Sequence, residues 1–453
     1  MRHSANTAFM QRDLKVLWHP CTQMKDHEDI LPLIPIKCGS GVWLEDFTGK
    51  RYLDAISSWW VNLFGHANPR INQAIQAQLT QLEHVILAGF THEPVVTLSE
   101  RLIALTPDGL TRCFYADNGS SGIEVAIKMS FHYWLNQGQA QKTKFLVIQD
   151  GYHGETLGAL AVGDVALYKQ IYAPLLMQTI TAPSPAGCYA EAGESYFDYA
   201  ERQAQALEKI VAQHADEVCA VIIEPLVQCA GGMRMHHPHY LSRLRAICDQ
   251  YQIHLIADEI AVGFGRTGTL FACEQAAISP DFLCLSKGLT GGYLPLSVVL
   301  THDSIYQAFY DDYHKLSAFL HSHSYTGNPL ACQAALATLD IFETDNVLEN
   351  NQKLAAVMCE ATKPLHDHPH VSEVRQQGMI LAIELCKNKA SRESYDWRER
   401  RGIAVYRHAL EQGALLRPLG NVVYFMPPYV ITPAEIEWLA TVAYASIDFA
   451  TRD

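Results

Sequence analysis

Two side chains of opposite charge stand at the ends of apolar runs in the sequence. Asp258 belongs to IHLIADE, residues 253–259, and Lys287 belongs to DFLCLSKG, residues 281–288. Because a lysine among apolar residues has its ammonium form disfavoured, its amine is prepared to form a Schiff base. A buried carboxylate is the partner that a protonated pyridine nitrogen needs. The pair predicts a site for pyridoxal phosphate (PLP), although lysines at strand ends more often extend to solvent.

The stretch DNGSSGIEVAIKMSFHYW, residues 117–134, supplies small residues followed by a helical apolar period. The N–H groups at the start of a helix, together with its positive dipole end, form a site for an anion. Gly119 and Ser120 are therefore the candidate ligands of a cofactor phosphate. Ser121 and Glu124 have the spacing of a capping box. Taken alone, the stretch also fits an ordinary helix start with no ligand.

Other polar side chains follow further apolar runs. GYHGE, residues 151–155, comes directly after KFLVIQD. An aromatic side chain on such a turn can cover a planar ring, so Tyr152 or His153 is a candidate to stack on the cofactor, with a purely structural turn as the alternative. Glu224 near the end of VCAVIIEP is a further candidate, and Arg417 in LLRPLG offers a fork for a substrate carboxylate.

Glycines at 263, 265 and 268 spell G-x-G-x-x-G, a pattern that also occurs in dinucleotide-binding sites. In such sites the first glycine turns directly off the strand and the third lies in the following helix. Here residues 258–262 separate the strand core from the first glycine, and TLFACEQ does not begin as a clean amphipathic helix. We therefore expect a loop that turns the backbone away from an acidic site, with an NAD(P)-dependent oxidoreductase as the alternative.

The candidate residues stand at the ends of elements that alternate between short apolar strands and amphipathic helices. We predict strands at residues 111–117, 144–150, 218–225, 253–259 and 281–288. Near-continuous apolar strands separated by helices are typical of a parallel sheet covered on both faces, and ligands bind beyond the carboxyl ends of such strands. The polar residues that end the five runs should therefore share one rim.

The two ends of the chain have a different pattern. Residues 1–60 are expected to be irregular, apart from a short antiparallel meander around GVWLEDFTGKRYLDAI. The C-terminal part combines a small sheet with a last helix that has Thr432 as its N-cap in a capping box. We predict an α/β fold with a large domain at 66–335, a small α+β domain at 336–453, and an N-terminal segment, 1–65, packed with the small domain.

Composition argues against several classes of function. The 453-residue chain has 34 Lys and Arg against 48 Asp and Glu, and its net charge of −14 argues against a nucleic-acid partner. Twelve cysteines without a C-x-x-C pair argue against a disulfide framework or a zinc site, and we interpret HHPH at 236–239 as a surface loop rather than a metal site. No apolar run is long enough to cross a membrane, so we expect no membrane partner and a cytoplasmic protein.

The assembled motifs resemble those of the class III, fold-type I PLP-dependent aminotransferases. From residue 17 to residue 428 the matching segments follow the order of that family: LWHPCTQMKD, SSWW, DNGSSGIEVAIKM, GYHGE, IIEP, ADEIAVGFGRTG, LSKGLTGG, HSHSYTGNPLAC and LLRPLGNVVYFMPP. The resemblance implies a large domain with a mostly parallel central sheet, PLP as cofactor, and a homodimer whose active sites are shared between subunits.

Position by position, the resemblance implies that Lys287 forms the Schiff base with PLP and carries the proton, while Asp258 pairs with the pyridinium nitrogen. Tyr152 is the third residue implied in catalysis, over the cofactor ring. Cofactor contacts are further implied for Gly119, Ser120, His153, Glu224, His323 and Ser324. Of these, Ser324 would come from the neighbouring subunit. Substrate contacts are implied for Trp59, Tyr152, Lys287, Ser322, Arg417 and Tyr424.

The segments WHP, SSWW and RPLG narrow the resemblance to a branch that aminates 8-amino-7-oxononanoate in biotin biosynthesis. Members that use S-adenosylmethionine as amino donor typically have a tyrosine after WHP, where this chain has Cys21. They often have Gly-Pro-Thr where this chain has Ser322, His323 and Ser324. We expect S-adenosylmethionine as the donor, with lysine as the alternative. A class III enzyme acting on ornithine, 4-aminobutyrate or another ω-amine is the nearest alternative activity.

Overall fold

The computed structural model describes residues 2–191 and 193–452. The chain forms two compact units. The central unit is Arg70–Leu348, and the terminal unit combines the chain up to Pro69 with the chain from Glu349 onward. The domain boundaries predicted after residues 65 and 335 stay predictions.

The regular elements are numbered in chain order. The strands are β1 (Ile36–Ser40), β2 (Trp43–Asp46), β3 (Arg51–Asp54), β4 (Leu110–Ala116), β5 (Lys144–Ile148), β6 (Thr179–Ala182), β7 (Val218–Ile223), β8 (Val227–Gln228), β9 (Arg234–Met235), β10 (His254–Asp258), β11 (Phe282–Leu285), β12 (Ser297–His302), β13 (Val371–Gln377), β14 (Ile380–Leu385), β15 (Ala414–Leu415) and β16 (Val422–Phe425). The α-helices are α1 (Arg2–Val16), α2 (Ser57–Trp60), α3 (Pro69–Leu79), α4 (Glu93–Leu105), α5 (Gly119–Asn136), α6 (Leu157–Ala161), α7 (Ala166–Lys169), α8 (Tyr196–His214), α9 (Pro238–Tyr251), α10 (Asp303–Gln307), α11 (Pro329–Thr344), α12 (Val347–Ala361), α13 (Arg401–Gln412) and α14 (Pro433–Thr451).

The central unit is built on a seven-stranded sheet with the strand order β4-β12-β11-β10-β7-β5-β6. Neighbours are parallel from β11 through β10, β7 and β5 to β6, whereas β12 runs antiparallel to both β11 and β4. The mostly parallel sheet and its five predicted strands are confirmed. Two further strands, β6 and β12, lie outside the prediction, because short apolar runs are ambiguous between a strand and a buried helix segment.

The helix α5 is held on this sheet by apolar side chains. Ile123 and Ile127 of α5 share one buried cluster with Val147 of β5, Ile222 of β7 and Ile256 of β10. Complete burial of each such side chain contributes about 1.5–3 kcal/mol to folding. Because α5 follows β4 after two residues, this packing keeps the first turn of α5 at the carboxyl end of β4.

The terminal unit contains the sheets β1-β2-β3-β15 and β13-β14-β16. The β1–β2–β3 meander is antiparallel as predicted, and β15 adds in parallel to β3. The predicted capping box of α14 is confirmed, with Thr432 and Glu435 each accepting the N–H of the other. The expectation of an irregular N-terminus is wrong for Arg2–Val16, which form α1. Their largely polar sequence lacks the apolar stripe on which a helix prediction depends.

The interpretation of HHPH as a surface loop is also wrong. His236 is buried, and His237 is the N-cap of α9, where its Nδ1 accepts the N–H of His239 at 3.1 Å. Pro238 stands at the first helical position, which suits its fixed φ and its missing N–H. Among the described residues, no helix is long and apolar enough to cross a bilayer.

Candidate active site

Asp258 is the last residue of β10 and is buried. Its Oδ1 accepts the N–H of Ile260 at 3.0 Å, and its Oδ2 lies 2.7 Å from Nδ1 of His153, which is buried as well. These two contacts fix the carboxylate at the carboxyl rim of the sheet. Because His153 is buried whereas Tyr152 is partly exposed, Tyr152 is the better candidate to cover a planar ring.

Lys287 stands at the same rim, two residues after β11. β10 and β11 are parallel neighbours, with Cys284 opposite Asp258, so the lysine and the acid follow adjacent strand ends. Burial lowers the pKa of the Lys287 amine below its ordinary value, although the carboxylates of Asp258 and Glu224 act in the opposite direction. Lys287 has a φ of 43°, in the left-handed region that costs a non-glycine residue about 1–2 kcal/mol. Such strain is concentrated at functional positions.

Glu224 follows β7 and holds the turn after β5. Its carboxylate accepts the N–H groups of Tyr152 and Cys229, both at 2.9 Å. Burial raises the pKa of Glu224 to about 7, and the Asp258 carboxylate adds to this effect, while His153 and the two N–H groups oppose it. Glu224 therefore positions the backbone of Tyr152.

The turn that carries Tyr152 is in contact with the start of α5. The Tyr152 hydroxyl donates to Glu155 at 3.0 Å, and the Glu155 N–H donates to Oγ of Ser120 at 3.2 Å. Gly154 has a φ of 124°, and a Cβ there would lie 2.0 Å from Ser120 Oγ. Only glycine fits this close approach. The GYHGE turn and the predicted phosphate-binding residues therefore form one continuous surface.

The helix α5 begins at Gly119 and is capped by Asn118. The backbone of Asn118 is extended, and its Oδ1 accepts the N–H of Ser121 at 3.1 Å. The N–H groups of Gly119 and Ser120 come too early in the helix to have an acceptor one turn before them. They are therefore suited to bind an anion.

The predicted capping box of Ser121 and Glu124 is wrong. Glu124 accepts the hydroxyl of Thr156 at 2.6 Å and the N–H of Gly158 at 2.8 Å, so it caps the short helix α6 instead of α5. The missed residue is Asn118, whose position directly before the helix is itself an N-cap signal. Glu124 gives no comparable signal, because its partners lie more than thirty residues away in the sequence.

The glycine segment 263–268 does not lead into a helix of the kind that receives a pyrophosphate. Its neighbour Glu259 is fully buried and accepts the N–H groups of Ala272 at 2.7 Å and Cys273 at 2.8 Å. Burial raises the pKa of Glu259 to about 7. The short 3₁₀ turn Ala272–Ala276 thus has its free N–H groups occupied by a side chain of the protein. This geometry supports a structural loop rather than a dinucleotide site.

Ser322, His323 and Ser324 lie between α10 and α11. Nδ1 of His323 is 3.8 Å from Oδ2 of Asp117, which directly follows β4, so His323 is close to the start of α5. The Ser324 carbonyl lies 2.7 Å from Nε2 of His84. The side chains of Ser322 and Ser324 are exposed in the single chain.

Trp59, Arg417 and Tyr424 belong to the terminal unit. The Arg417 guanidinium lies over the Trp59 ring, 4.7 Å from its centroid, in a cation–π contact. Trp59 is 38% exposed, whereas Tyr424 is 1% exposed and its hydroxyl accepts the indole N–H of Trp60 at 3.0 Å. The exposed surface is thus formed by Trp59 and Arg417, with Tyr424 buried beneath the neighbouring tryptophan.

The residues of the central unit fit PLP. Asp258 supplies the buried carboxylate that the pyridine nitrogen needs, and Lys287 supplies an amine of lowered pKa for the aldehyde. The start of α5 supplies N–H groups for the phosphate at Gly119 and Ser120. Nε2 of His153 is buried without a hydrogen-bond partner among the described residues, so one more polar atom is available to a ligand or water.

This fold and this site define a fold-type I PLP-dependent enzyme. The family description "Aminotransferase class-III" matches residues 23–444. The chain belongs to the class III aminotransferases and is a PLP-dependent transaminase.

Several relatives share one printed name. The adenosylmethionine-8-amino-7-oxononanoate aminotransferase of Helicobacter pylori is 50% identical over 430 residues, which cover 94% of each chain. The enzyme of that name from Geobacter sulfurreducens is 43% identical and covers 97% of each chain. The crystal structure of the Methanocaldococcus jannaschii enzyme has a TM-score of 0.93 at 37% identity, covering 98% of this chain and 99% of that one. The omega transaminase of Pseudomonas jessenii in complex with PMP has a TM-score of 0.92 at 28% identity, covering 97% and 98%.

Proposed function

We propose that this transaminase converts 8-amino-7-oxononanoate to 7,8-diaminononanoate in biotin biosynthesis, with S-adenosylmethionine as amino donor. The choice of substrates is supported by the names of relatives that are 50% and 43% identical across nearly the whole chain. The chemistry is supported by one observation, namely a lysine of lowered pKa and a buried carboxylate on adjacent strand ends.

PLP, when bound, withdraws electrons from the substrate carbon, so that a C–H bond there can be broken. Asp258, held by His153 and by the Ile260 N–H, would keep a proton on the ring nitrogen of bound PLP. Lys287 would hold the cofactor between reactions. Once the incoming donor amine has displaced it, its free amine would move the proton at the substrate carbon, because a lowered pKa makes the amine available as a base nearer to neutral pH. Glu224 holds the backbone of Tyr152, whose side chain would cover the ring.

The remaining predicted residues take binding roles in this proposal. Gly119 and Ser120 bind the cofactor phosphate, joined by Ser324 of a second copy of the chain, with His323 and Ser322 in the same segment. Trp59 and Arg417 receive the substrate, the guanidinium binding its carboxylate and the indole its apolar chain. Tyr424 supports this surface through Trp60.

Replacing the reactive lysine tests the chemistry. We expect Lys287→Ala to abolish turnover and to remove the visible absorbance of the lysine-bound cofactor. A matched control is Lys142→Met, since Lys142 is another buried lysine of the central unit, and its amine donates to the carbonyls of Ala215, Val218 and Gln252. The control should lose stability but keep the absorbance. An active, coloured Lys287→Ala enzyme contradicts the proposal.

The substrates are tested by separate half-reactions. The PLP form is mixed with S-adenosylmethionine or with lysine, and loss of the cofactor absorbance identifies the donor. The aminated enzyme is then given 8-amino-7-oxononanoate or 2-oxoglutarate. Recovery of the absorbance with 2-oxoglutarate alone would favour the alternative, an ω-aminotransferase of the ornithine or 4-aminobutyrate type.

The proposed enzyme is a cytoplasmic homodimer, as the family resemblance implies. Support for a dimer comes from large apolar side chains that are exposed in the segment before α11, namely Tyr310, Tyr313, Leu316, Leu320 and Tyr325. A cluster of this kind is typical of a surface that a partner covers. Sedimentation equilibrium should give the mass of two 50.6 kDa chains, and a fully active monomer would contradict the shared site.

A further inference from the structure

The SSWW segment has a backbone that ordinary residues avoid. The four residues of the one-turn element α2, Ser57, Ser58, Trp59 and Trp60, have φ values of 51°, 46°, 74° and 74°. The element α2 is therefore a left-handed turn of four successive non-glycine residues and not a right-handed α-helix. Left-handed conformations of this kind occur as single residues in most proteins, because the Cβ approaches the following carbonyl oxygen. The surrounding structure must therefore determine this turn.

Asp54 is the residue that holds the turn. It is the last residue of β3 and is fully buried. Its Oδ1 accepts the backbone N–H of Ser58 at 3.0 Å, and its Oδ2 accepts the Ser58 hydroxyl at 2.7 Å. The carboxylate thus binds both polar groups of one residue inside the turn.

The carboxylate is itself fixed from the other side. Nε2 of His66 lies 3.0 Å from Oδ2 of Asp54. The backbone of His66 is anchored by reciprocal hydrogen bonds with Gly41, of 2.7 and 3.2 Å. A Cβ at Gly39 would lie 2.8 Å from the Cβ of His66, so the chain approaches closely here and the imidazole has little freedom.

The turn separates the two tryptophans. Trp60 is buried, and its indole N–H donates to the hydroxyl of Tyr424. Trp59, the next residue back, is partly exposed and lies beneath the Arg417 guanidinium. The left-handed turn thus directs the Trp60 ring into the core and the Trp59 ring to the surface.

We infer that Asp54 is a positioning residue for substrate binding. Through the left-handed turn it holds the Trp59 ring in contact with the Arg417 guanidinium, and this pair binds a substrate carboxylate attached to an apolar chain. The inference rests on the proposed function for the identity of that substrate. Asp54 acts through Trp59 and does not itself contact the substrate.

The test compares two buried aspartates of the same unit. Asp46 also ends a strand, and its Oδ1 accepts the N–H groups of Thr48 and Lys50, so Asp46→Asn is a matched control for Asp54→Asn. For Asp54→Asn we expect the KM for 8-amino-7-oxononanoate to rise about tenfold or more while kcat changes less than about threefold, the pattern of lost binding rather than lost chemistry. The absorbance of the bound cofactor should be unchanged. Asp46→Asn should leave both constants near those of the natural chain.

A second readout does not depend on the substrate. The near-ultraviolet circular dichroism of the natural chain minus that of Trp59→Phe gives the signal of a fixed Trp59. The same difference is measured in each variant, with and without Trp59→Phe. It should be lost in Asp54→Asn and kept in Asp46→Asn. If the natural chain fails to aminate 8-amino-7-oxononanoate, the proposed function fails, whereas the circular dichroism still decides whether Asp54 positions Trp59.

A double-mutant cycle completes the design. In an Arg417→Met background, Asp54→Asn should have little further effect on KM, because the two act through one binding surface. If Asp54→Asn does not fold, Ser58→Ala removes only the hydroxyl bound by Oδ2 and should raise KM about twofold to threefold. A natural KM together with an intact Trp59 signal in either variant, or full additivity with Arg417→Met, overturns the inference.

Discussion

Lys287 differs from a surface lysine in both its backbone and its surroundings. Its φ of 43° aims the residue out of the strand direction, and burial lowers the pKa of its amine despite two nearby carboxylates. A lowered pKa makes the amine better suited to give and take protons nearer to neutral pH.

Asp258 and Glu259 are adjacent buried acids with different partners, which makes them a matched pair for mutation. We expect Asp258→Asn to lower kcat by about 10²–10³-fold, because the variant removes the charge that is proposed to stabilise the cofactor ring. Glu259→Gln should keep kcat within about threefold and destabilise the fold by about 1–3 kcal/mol, since its partners are the N–H groups of Ala272 and Cys273. Steady-state kinetics and denaturant unfolding measure the two effects. Equal losses of kcat would contradict this division.

Part of this difference can be predicted from sequence. Asp258 closes an apolar run, and the position of Lys287 after the next run identifies it as the acid of interest. The role of Glu259 depends on residues 272–273, which return to it only after the glycine turns. No local pattern encodes such a return, so the structural acid could not be distinguished by spacing.

At the scale of the element, the start of α5 contributes to helix stability and is also the proposed binding site of the cofactor phosphate. Asn118 uses its side chain to bind one of the free N–H groups and leaves those of Gly119 and Ser120, the proposed ligands of the phosphate, without an acceptor in the preceding turn. Ser120 also contacts the turn that carries Tyr152. In the proposed site, one helix start would therefore align the phosphate with the residue that covers the ring.

Removing the cap should weaken both functions. We expect Asn118→Ala to lower the free energy of unfolding by about 1 kcal/mol and to weaken PLP binding, because the first turn frays. Thr432→Ala removes the cap of α14, with the same expected cost of about 1 kcal/mol and no change in PLP affinity. Denaturant unfolding and PLP titration of the apoprotein measure the two quantities. Equal PLP affinities in both variants would mean that the α5 start does not bind the phosphate.

The two capping boxes show where sequence patterns stop being sufficient. Ser121–Glu124 and Thr432–Glu435 have the same spacing, yet only the second forms. At α5, Asn118 provides an earlier cap, and Glu124 is drawn to the N–H of Gly158. The competing partners of Glu124 come from the tertiary fold. At α14 the indole N–H of Trp43 also donates to Glu435 at 2.7 Å, but it uses the other carboxylate oxygen, so the local capping box still forms.

At the scale of the whole molecule, buried acids set the response of stability to pH. Burial raises the pKa of Glu259 from its ordinary 4.5 to about 7. A carboxyl group with a raised pKa holds its proton more tightly in the folded state, so its contribution favours folding most at low pH. That contribution is lost as the pH rises from about 4.5 to about 7, and it is constant above this range.

A comparison of unfolding free energies across this range tests the assignment. The apoprotein should lose stability relative to Glu259→Gln as the pH rises, by at most about 3 kcal/mol over the full interval. Denaturant unfolding at several pH values measures the difference, in which the contributions of all other groups cancel. A constant difference, or one that grows in favour of the natural chain, would contradict the raised pKa.

The direction of β12 determines how the connection that carries Lys287 is anchored. Because β12 runs against β11, the connection that carries Lys287 leaves the sheet and re-enters it at the same edge. The hydroxyl of Ser286 donates to the carbonyl of Leu296 at 2.6 Å, which joins the two ends of this connection. A connection to a parallel strand would have to cross to the opposite edge of the sheet, where that strand begins. The amine is thus carried on a short connection whose two ends are joined by a hydrogen bond, which limits how far the backbone that holds the amine can be displaced.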